Sequence, residues 1–306
     1  MKPLEPDPDH AGEGSDDRTG RFPRRSPPAG TAFFWRKRTM TDARTIWSDV
    51  ERIRAERPLV HNITNYVVMN TTANALLALG ASPVMAHALE EVEEMAGQSA
   101  ALVLNIGTLS RPWIEAMHAA ARAARAKNRP IVLDPVGAGA TAMRTEAALA
   151  LLEEARPSIV RGNASEIRAL TLAESETKGV DSRHGAEAAL EAAQRLSIRT
   201  GAVVSVSGGV DIIVGGVSIL RIANGHRLMA RVTGLGCTAT ALTGAFAAVN
   251  PSPLLAAAHA MAVMGIAGEI AAERSRGPAS LQMNLIDALY ELSADDIAAR
   301  LKLEWE

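Results

Sequence analysis

The 306-residue chain has one cysteine, a net charge of only −2 and no apolar run as long as a membrane span. One cysteine excludes an internal disulfide, which fits a reducing compartment. A charge close to zero gives no electrostatic reason to expect nucleic acid or an anionic membrane as a partner. We therefore expect a cytoplasmic protein without a transmembrane helix.

Several nucleotide-binding and hydrolase motifs are also absent from the chain. It contains no Walker A motif, no G-x-G-x-x-G coupled to a predicted strand and no G-x-S-x-G elbow. These absences argue against a P-loop enzyme, a dinucleotide-binding enzyme and an α/β-hydrolase. The chain shows no internal repeat and no second domain boundary.

Aromatic residues make up only 3% of the chain, and three of its four phenylalanines lie before residue 40. The folded part must therefore build its core from Ala, Leu, Val, Ile and Met. Residues 1–40 also hold six of the 15 prolines and no long apolar run. This composition predicts a disordered extension over 1–40 rather than a secretory signal, followed by one domain over 41–306.

From residue 41 onward, short apolar runs alternate with longer helical patterns. Continuous apolar strands between helices are typical of a mostly parallel sheet covered on both faces, and the last two predicted strands form an antiparallel hairpin at its edge. Strands are predicted at 83–85, 101–105, 131–133, 158–160, 202–206, 212–215 and 217–223. Helices are predicted at 41–55, 65–79, from about 90, and at 112–127, 145–155, 186–200, 238–249, 253–274 and 280–292.

Polar, glycine-rich turns follow four of these predicted strands. They cover residues 105–108, 134–139, 161–166 and 207–211. Ligands of open α/β sheets bind outside the carboxyl ends of the strands. One such turn is weak evidence, but four at one edge predict a binding site.

A fifth loop, Gly234-Leu235-Gly236-Cys237, leads directly into the predicted helix 238–249. Free backbone N–H groups at a helix start bind anions, and the helix dipole reinforces them. The only cysteine lies in this loop. We expect an anion-binding loop with a catalytic role for Gly234, Gly236 and Cys237.

The carboxylates at the predicted edge are Asp134 and Glu166, which suit Mg²⁺ beside a phosphate. Alternatively, Asp134 caps its turn and Glu166 complements a helix dipole. Arg161 follows a buried strand, where its guanidinium can reach a phosphate or pair with Glu166.

Segment 61–65 precedes a predicted helix and contains His61, Asn62 and Asn65. Asn and Thr are good helix N-caps, so capping explains part of this pattern. The same residues suit a polar group of a substrate. Met85 follows a strand and packs either against an apolar ring or in the core.

Taken together, these motifs resemble the hydroxyethylthiazole kinases of the ribokinase-like superfamily. The resemblance covers roughly residues 41–292. It rests on Leu-Val-His-Asn-Ile-Thr-Asn at 59–65, Ala-Ser-Pro-Val-Met-Ala at 81–86, Asp-Pro-Val-Gly-Ala-Gly at 134–139, Arg-Gly-Asn-Ala-Ser-Glu at 161–166, Gly-Leu-Gly-Cys at 234–237 and Gly-Pro-Ala-Ser-Leu-Gln at 277–282.

The resemblance implies a ribokinase-like fold and ATP-dependent phosphorylation of 4-methyl-5-(2-hydroxyethyl)thiazole, a salvage step towards thiamine. It also implies Mg²⁺ and a homotrimer with active sites between subunits. By motif, Arg161, Ser207 and Asn163 contact ATP; the family commonly has Thr where this chain has Ser207. Met85 and Gly234 contact the thiazole, Asn65 lies near the hydroxyethyl arm, and Asp134 and Glu166 match the metal-associated acids.

Cys237 distinguishes the resembled kinases from the wider superfamily, which usually has an Asp base at this position. Phosphoryl transfer passes through a loose transition state, so positioning and charge neutralisation matter more than a strong base. Our hypothesis is that the N–H groups of 234–237 stabilise the transferring phosphoryl group. Cys237 then orients the hydroxyl and is at most a modest base.

Three other functions remain open at this point. The first is a kinase of another hydroxyalkyl heterocycle, such as hydroxymethylpyrimidine, and the second is a repair dehydratase of the same superfamily. Cys237 in place of an acid argues against both. The third is a non-enzymatic nucleotide-binding module, which the intact carboxylates and anion loop disfavour.

Overall fold

The fold is taken from a computed structural model, in which residues 41–172 and 185–306 are described. The predicted disordered extension, 1–40, lies outside the described residues. The described part forms a single nine-stranded sheet with helices on both faces.

The sheet has the strand order β2-β1-β3-β4-β5-β6-β7-β8-β9. The pairs from β2 to β6 are parallel, and the pairs from β6 to β9 are antiparallel. This arrangement confirms the predicted fold class, a mostly parallel sheet with antiparallel edge strands. The strands are β1 Leu59–Ile63, β2 Ser82–Val84, β3 Ala101–Asn105, β4 Ile131–Asp134, β5 Ile159–Asn163, β6 Val203–Ser207, β7 Asp211–Gly215, β8 Ser218–Ile222 and β9 Leu303–Trp305.

The helices connect these strands and close the described chain. They are α1 Ala43–Glu56, α2 Met69–Leu79, α3 Val92–Gln98, α4 Arg111–Ala126, α5 Ala142–Ala155, α6 Ala164–Leu172, α7 Gly185–Thr200, α8 Leu235–Val249, α9 Pro253–Glu273, α10 Pro278–Glu291 and α11 Ala294–Arg300, with a 3₁₀ turn at Arg227–Arg231.

The segment 59–65 differs from its prediction. Residues 59–63 form strand β1, and helix α2 begins only at Met69, with Val68 at its N-cap and no side-chain cap. The capping interpretation of segment 61–65 is therefore wrong. The strand was missed because its sequence contains polar residues, which are not typical of a buried strand. One of them, His61, is fully buried and donates from Nε2 to the Ala86 carbonyl at 2.8 Å. The predictions also missed α6, α11, β9 and the 3₁₀ turn.

Two apolar layers enclose the sheet, and alternate strand residues face opposite layers. Val103 of β3 packs with α1, α2 and α8–α11, whereas Leu102 and Leu104 pack with α3–α7. Phe246 and Trp113 are the only aromatic side chains among the buried hydrophobic residues of the described chain. The expected core of Ala, Leu, Val, Ile and Met is confirmed.

Helix α9, Pro253–Glu273, is long and apolar enough by length and composition to cross a membrane. This corrects the expectation that no segment reaches that length. Within the protein, 83% of its apolar stretch is buried. Burial of this kind is typical of a core helix, which is apolar all round.

A buried hydrogen-bond cluster joins α1, α9 and the end of α8. Asp49 Oδ2 accepts from His259 Nδ1 and from Asn250 Nδ2, both at 2.6 Å. His259 Nε2 lies 3.1 Å from Thr41 Oγ1. Because Asp49 serves two partners in the interior, its loss leaves both of them without an acceptor.

We expect Asp49→Ala to lower the free energy of unfolding by about 3 kcal/mol, since it leaves buried donors unpaired. The matched control is Arg52→Ala, which removes only the exposed pair with Glu56 and is expected to change stability by about 0.5 kcal/mol or less. Urea unfolding measures both. A loss below about 1 kcal/mol for Asp49→Ala would contradict the proposed importance of the cluster.

Candidate active site

The carboxyl ends of β3 to β6 bring the predicted polar residues to one edge of the sheet. Asn105 of β3 is in register with Asp134 of β4. Asn163 of β5 is in register with Ser207 of β6. The prediction that these strand ends meet at the same edge is confirmed.

A chain of hydrogen bonds runs from the start of α8 across this edge. Asn65 Nδ2 donates to Cys237 Sγ at 3.4 Å and to Asn105 Oδ1 at 2.8 Å. Asn105 Nδ2 in turn donates to Asp134 Oδ2 at 2.7 Å. Thr240 Oγ1 donates to the same Asp134 oxygen at 2.7 Å. Strands β3 and β4, the segment after β1 and helix α8 are thus held by one network of polar side chains.

Asp134 is the most strongly perturbed acid of this site. It is 2% exposed, and this burial raises its pKa from 3.8 to about 6, although Arg161, Thr240 and Asn105 partly oppose the rise. Both of its hydrogen bonds fall on Oδ2, and Oδ1 accepts none from the described residues. Its free oxygen leaves Asp134 able to serve a ligand from outside the chain.

The first turn of α8 presents unpaired backbone N–H groups towards the same edge. Gly234 is its N-cap, with φ of 81° and no side-chain cap. A Cβ at Gly234 would overlap the Val68 side chain, so glycine is required both by conformation and by space. Without a side-chain cap, the first N–H groups of the helix remain available to an anion.

Arg161 ties this turn to β5. Its Nη1 donates to the Gly236 carbonyl at 2.8 Å, and a Cβ on Gly236 would lie 3.0 Å from the same nitrogen. Its Nε is buried and has no hydrogen-bond partner among the described residues. A buried charged donor without a partner is costly, so this position favours an anionic ligand.

The Cys237 thiol lies in the middle of this arrangement and is partly exposed. Burial raises its pKa, and the charge of Asp134 raises it further; Asn105, Asn65 and Arg161 oppose this only partly. Despite the helix start, the thiol remains protonated at neutral pH. It can orient a hydroxyl group, but it is a poor proton acceptor.

A cavity of about 650 Å³ opens beside Arg161. This volume is typical of a small-molecule site. One part of its wall is polar and charged, the other apolar. The polar part includes Arg161, Ser207, Asp211, His226 and Arg227, and the apolar part Leu235, Ala239, Met229, Met261 and Met264.

Glu166 and Asn163 lie at the edge but bind each other and the backbone. Glu166 Oε1 accepts from the Gly137 amide at 2.9 Å, and Oε2 accepts from the Asn163 amide at 2.8 Å. Asn163 Oδ1 accepts from the Glu166 amide at 3.0 Å. Glu166 therefore stabilises the turn after Asp134, and its negative charge contributes to the raised pKa of Asp134. Glu166 makes no described contact with Arg161.

Arg144 of α5 braces the same turn from the other side, and no sequence signal pointed to it. Its guanidinium donates to the carbonyls of Val136, Ile106 and Gly107 at 2.9, 2.8 and 2.6 Å. The strand-end rule could have singled out Asn105. Thr240 lies one helical turn after Gly236, but only the fold shows that it reaches Asp134.

Met85 follows β2, which pairs with β1 at the margin of the site. His87 Nδ1 donates to the Met85 carbonyl at 3.1 Å. The His87 ring lies against Trp113, whose ring centroid is 4.9 Å from that of Tyr66. Tyr66 itself is 66% exposed. An aromatic cluster thus borders the site near Asn65.

The donor set limits what kind of metal the site can hold. No group of three or more His, Cys, Asp or Glu residues suited to a metal occurs among the described residues. An all-protein metal cage is therefore absent from this part of the chain. One buried carboxylate with a free oxygen fits Mg²⁺, which is held by one or two carboxylates, water and substrate phosphates.

Comparison with known proteins gives one consistent family. The model of the Hydroxyethylthiazole kinase family matches residues 50–295. Hydroxyethylthiazole kinase of Syntrophus aciditrophicus is 62% identical over 258 residues, which cover 84% of this chain and 96% of that protein. The enzyme of the same name from Oleidesulfovibrio alaskensis is 56% identical over 86% of this chain and 99% of its own.

Solved structures agree with this result. The hydroxyethylthiazole kinase protein from Pyrococcus horikoshii superposes with a TM-score of 0.81 at 45% identity, covering 86% of this chain and 99% of its own. Pyridoxal kinase from Staphylococcus aureus in complex with pyridoxal gives a TM-score of 0.59 at 18% identity, covering 81% and 97%. The second likeness supports the fold alone.

The raised pKa of Asp134 predicts that its buried charge lowers the stability of the metal-free protein at neutral pH. In the unfolded chain this group loses its proton near pH 3.8, and in the folded metal-free chain near about 6. The cost of the buried charge therefore grows as the pH rises between these values, and it is fully present above them. We expect Asp134→Asn to stabilise the metal-free protein on the order of 2 kcal/mol at pH 7.5 and hardly at pH 4.

Urea unfolding of both proteins across this pH range measures the effect. Thr240→Val is the control, since it leaves the carboxylate in place and removes only one of its hydrogen bonds. Equal stability of the wild type and Asp134→Asn at pH 7.5 would contradict a raised pKa.

Proposed function

Because the chain belongs to the hydroxyethylthiazole kinase family, we propose that it transfers the γ-phosphoryl group of ATP to the hydroxyl of 4-methyl-5-(2-hydroxyethyl)thiazole, a salvage step towards thiamine. The observation that carries the proposal is the first turn of α8, where uncapped N–H groups, Arg161 and Cys237 converge. This is an anion site with an alcohol-orienting group beside it.

The nucleotide occupies the 650 Å³ cavity next to this turn. Arg161 directs its buried, unpaired Nε to the phosphates, and its Nη1 keeps hold of Gly236. The Ser207 hydroxyl donates to the Gly162 carbonyl at 3.3 Å, a long bond that leaves it free to turn to a phosphate. Asn163 lies at the same edge, where its side-chain oxygen accepts a hydrogen bond from the Glu166 amide.

Asp134 would hold Mg²⁺ together with the phosphates of the nucleotide, and Glu166 supports the turn behind Asp134. When bound, the metal neutralises the charge that develops on the phosphate oxygens. Burial raises the pKa of Asp134, and a bound cation would favour its ionised form.

The alcohol binds against the bonded pair of Asn65 and Cys237, with Gly234 and Met85 bordering its ring. Asn65 and the Cys237 thiol, 3.4 Å apart, hold the hydroxyl in line with the phosphoryl group. Glycine at 234 allows the ring to approach the backbone closely.

In the reaction the alcohol oxygen forms a bond to the γ-phosphorus, and the bond between this phosphorus and the β–γ bridging oxygen breaks to release ADP. The N–H groups of 234–237 and Arg161 stabilise the equatorial oxygens during the transfer. In a loose transition state the hydroxyl proton leaves late, so it passes to solvent with the products and Cys237 need not remove it.

We further propose that the active sites lie between subunits of a homotrimer. The support is an exposed apolar patch next to the site, formed by Tyr66, Val67 and Leu89, whose exposures are 66%, 61% and 49%. Apolar groups of this kind around a polar site mark a surface that a partner covers.

The test is ADP release by the purified protein with ATP and Mg²⁺ and either the thiazole alcohol or a hydroxymethylpyrimidine. We expect release with the thiazole alcohol, none above background with the pyrimidine, and loss of activity when a chelator removes the metal. ADP release that depends on the pyrimidine alone would overturn the assignment in favour of the alternative kinase. Unchanged activity with the chelator would overturn the role of Mg²⁺.

A further inference from the structure

The outer wall of the nucleotide cavity is formed by the segment 223–226 after β8, of which Asn224, Gly225 and His226 line the cavity. The segment lies close to α9, since a Cβ on Gly265 would be 2.6 Å from the Asn224 carbonyl oxygen. The Asn224 backbone therefore packs directly on the helix. Its side chain is also buried, with 7% exposure.

The side-chain amide of Asn224 makes three hydrogen bonds. Its Nδ2 donates to the Arg300 carbonyl at 2.7 Å and to Glu269 Oε1 at 3.2 Å. Its Oδ1 accepts from the Lys302 amide at 2.8 Å. One side chain thus joins the cavity wall, helix α9 and the chain that leads into β9.

Glu269 completes this connection from α9. The same Oε1 also accepts from the Gly225 amide at 3.1 Å and from Lys302 Nζ at 2.9 Å. Burial opposes its ionisation, but the hydrogen bonds from Lys302, Gly225 and Asn224 outweigh it and lower its pKa. A charged acceptor makes these bonds stronger than bonds between neutral groups.

We propose that Asn224 and Glu269 are positioning residues of the nucleotide site, which clamp the C-terminal segment 300–305 against the cavity wall. The inference rests on the proposed function, because it takes the cavity beside Arg161 as the nucleotide site. Neither side chain takes part in the chemistry. Their bonds hold residues 224–226 at the distance from Gly265 that leaves the cavity open.

The chain offers a matched control on the same helix. Glu273, one turn after Glu269, pairs with the Arg300 guanidinium at 2.7 Å. This pair also fastens the C-terminal segment, but it is exposed and makes no contact with residues 223–226 in the described structure. Comparing Glu269→Gln with Glu273→Gln separates positioning of the wall from simple attachment of the tail.

For Asn224→Ala we expect the KM for ATP and the Kd for a non-hydrolysable ATP analogue to rise about tenfold, since buried bonds are lost. The KM for the alcohol should stay within about twofold, and Glu269→Gln should raise the nucleotide constants by about threefold. Glu273→Gln should change none of these constants. Steady-state kinetics and calorimetry measure them.

The inference fails if Asn224→Ala binds nucleotide as the wild type does, if the alcohol KM rises as much as the ATP KM, or if the two glutamate variants behave alike. If the wild type neither binds the ATP analogue nor releases ADP, the proposed function fails instead.

A measurement on the wild type covers the case in which Asn224→Ala does not fold. Nucleotide binding should slow amide hydrogen exchange in 223–226 and in 300–305 together. Protection of 223–226 alone would contradict the clamp.

Discussion

The site depends on two attachments at the start of α8: Thr240 donates to the Asp134 carboxylate, and Arg161 donates to the Gly236 carbonyl. Each places a charged group against a helix turn that has no side-chain cap. The sheet fixes Asp134 and Arg161, because both belong to buried parallel strands. These two bonds attach the helix start, and Cys237 within it, to the sheet, and the buried residues of α8 hold the rest of the helix.

Holding a carboxylate in this interior has a thermodynamic consequence. Burial raises the pKa of Asp134 to about 6 in the metal-free chain, so its charge at neutral pH is unfavourable until a cation or other partner compensates it. The hydrogen bonds from Asn105 and Thr240 reduce this cost without removing it. Such a group is more costly than a neutral residue would be, and a buried carboxylate with a raised pKa is typical of functional sites.

The strand-end rule predicted which polar residues share one edge of the sheet, because parallel strands of alternating α/β chains end at a common edge. The edge residues 105, 134, 161 and 207 could therefore be found from apolar runs alone. Strand β1 could not, because the polar side chains of His61 and Asn62 interrupt its apolar pattern although the fold buries both. His61 bonds to the distant Ala86 carbonyl, and Asn62 bonds to the Val60 carbonyl of the same strand. Arg144 and Asn224 act through carbonyls and amides of distant segments, and such contacts leave no local signal in a sequence.

The glycines and the cysteine at the start of α8 differ in what they can contribute to the reaction. The conformation of Gly234 is one that only glycine adopts readily, whereas burial and Asp134 keep Cys237 protonated. The central claim is that the backbone of the turn matters more for phosphoryl transfer than the thiol.

The most direct test is kcat for Gly234→Ala and Cys237→Ala at saturating substrates, with folding checked by thermal melting. The account predicts a loss of about 10²-fold or more for Gly234→Ala, because the new Cβ overlaps Val68 and displaces the N–H groups of the turn, an effect comparable to the loss of an oxyanion donor. For Cys237→Ala it predicts a loss of about tenfold or less. The reverse order, with Cys237→Ala losing the 10²–10⁴-fold typical of a missing general base, would contradict it.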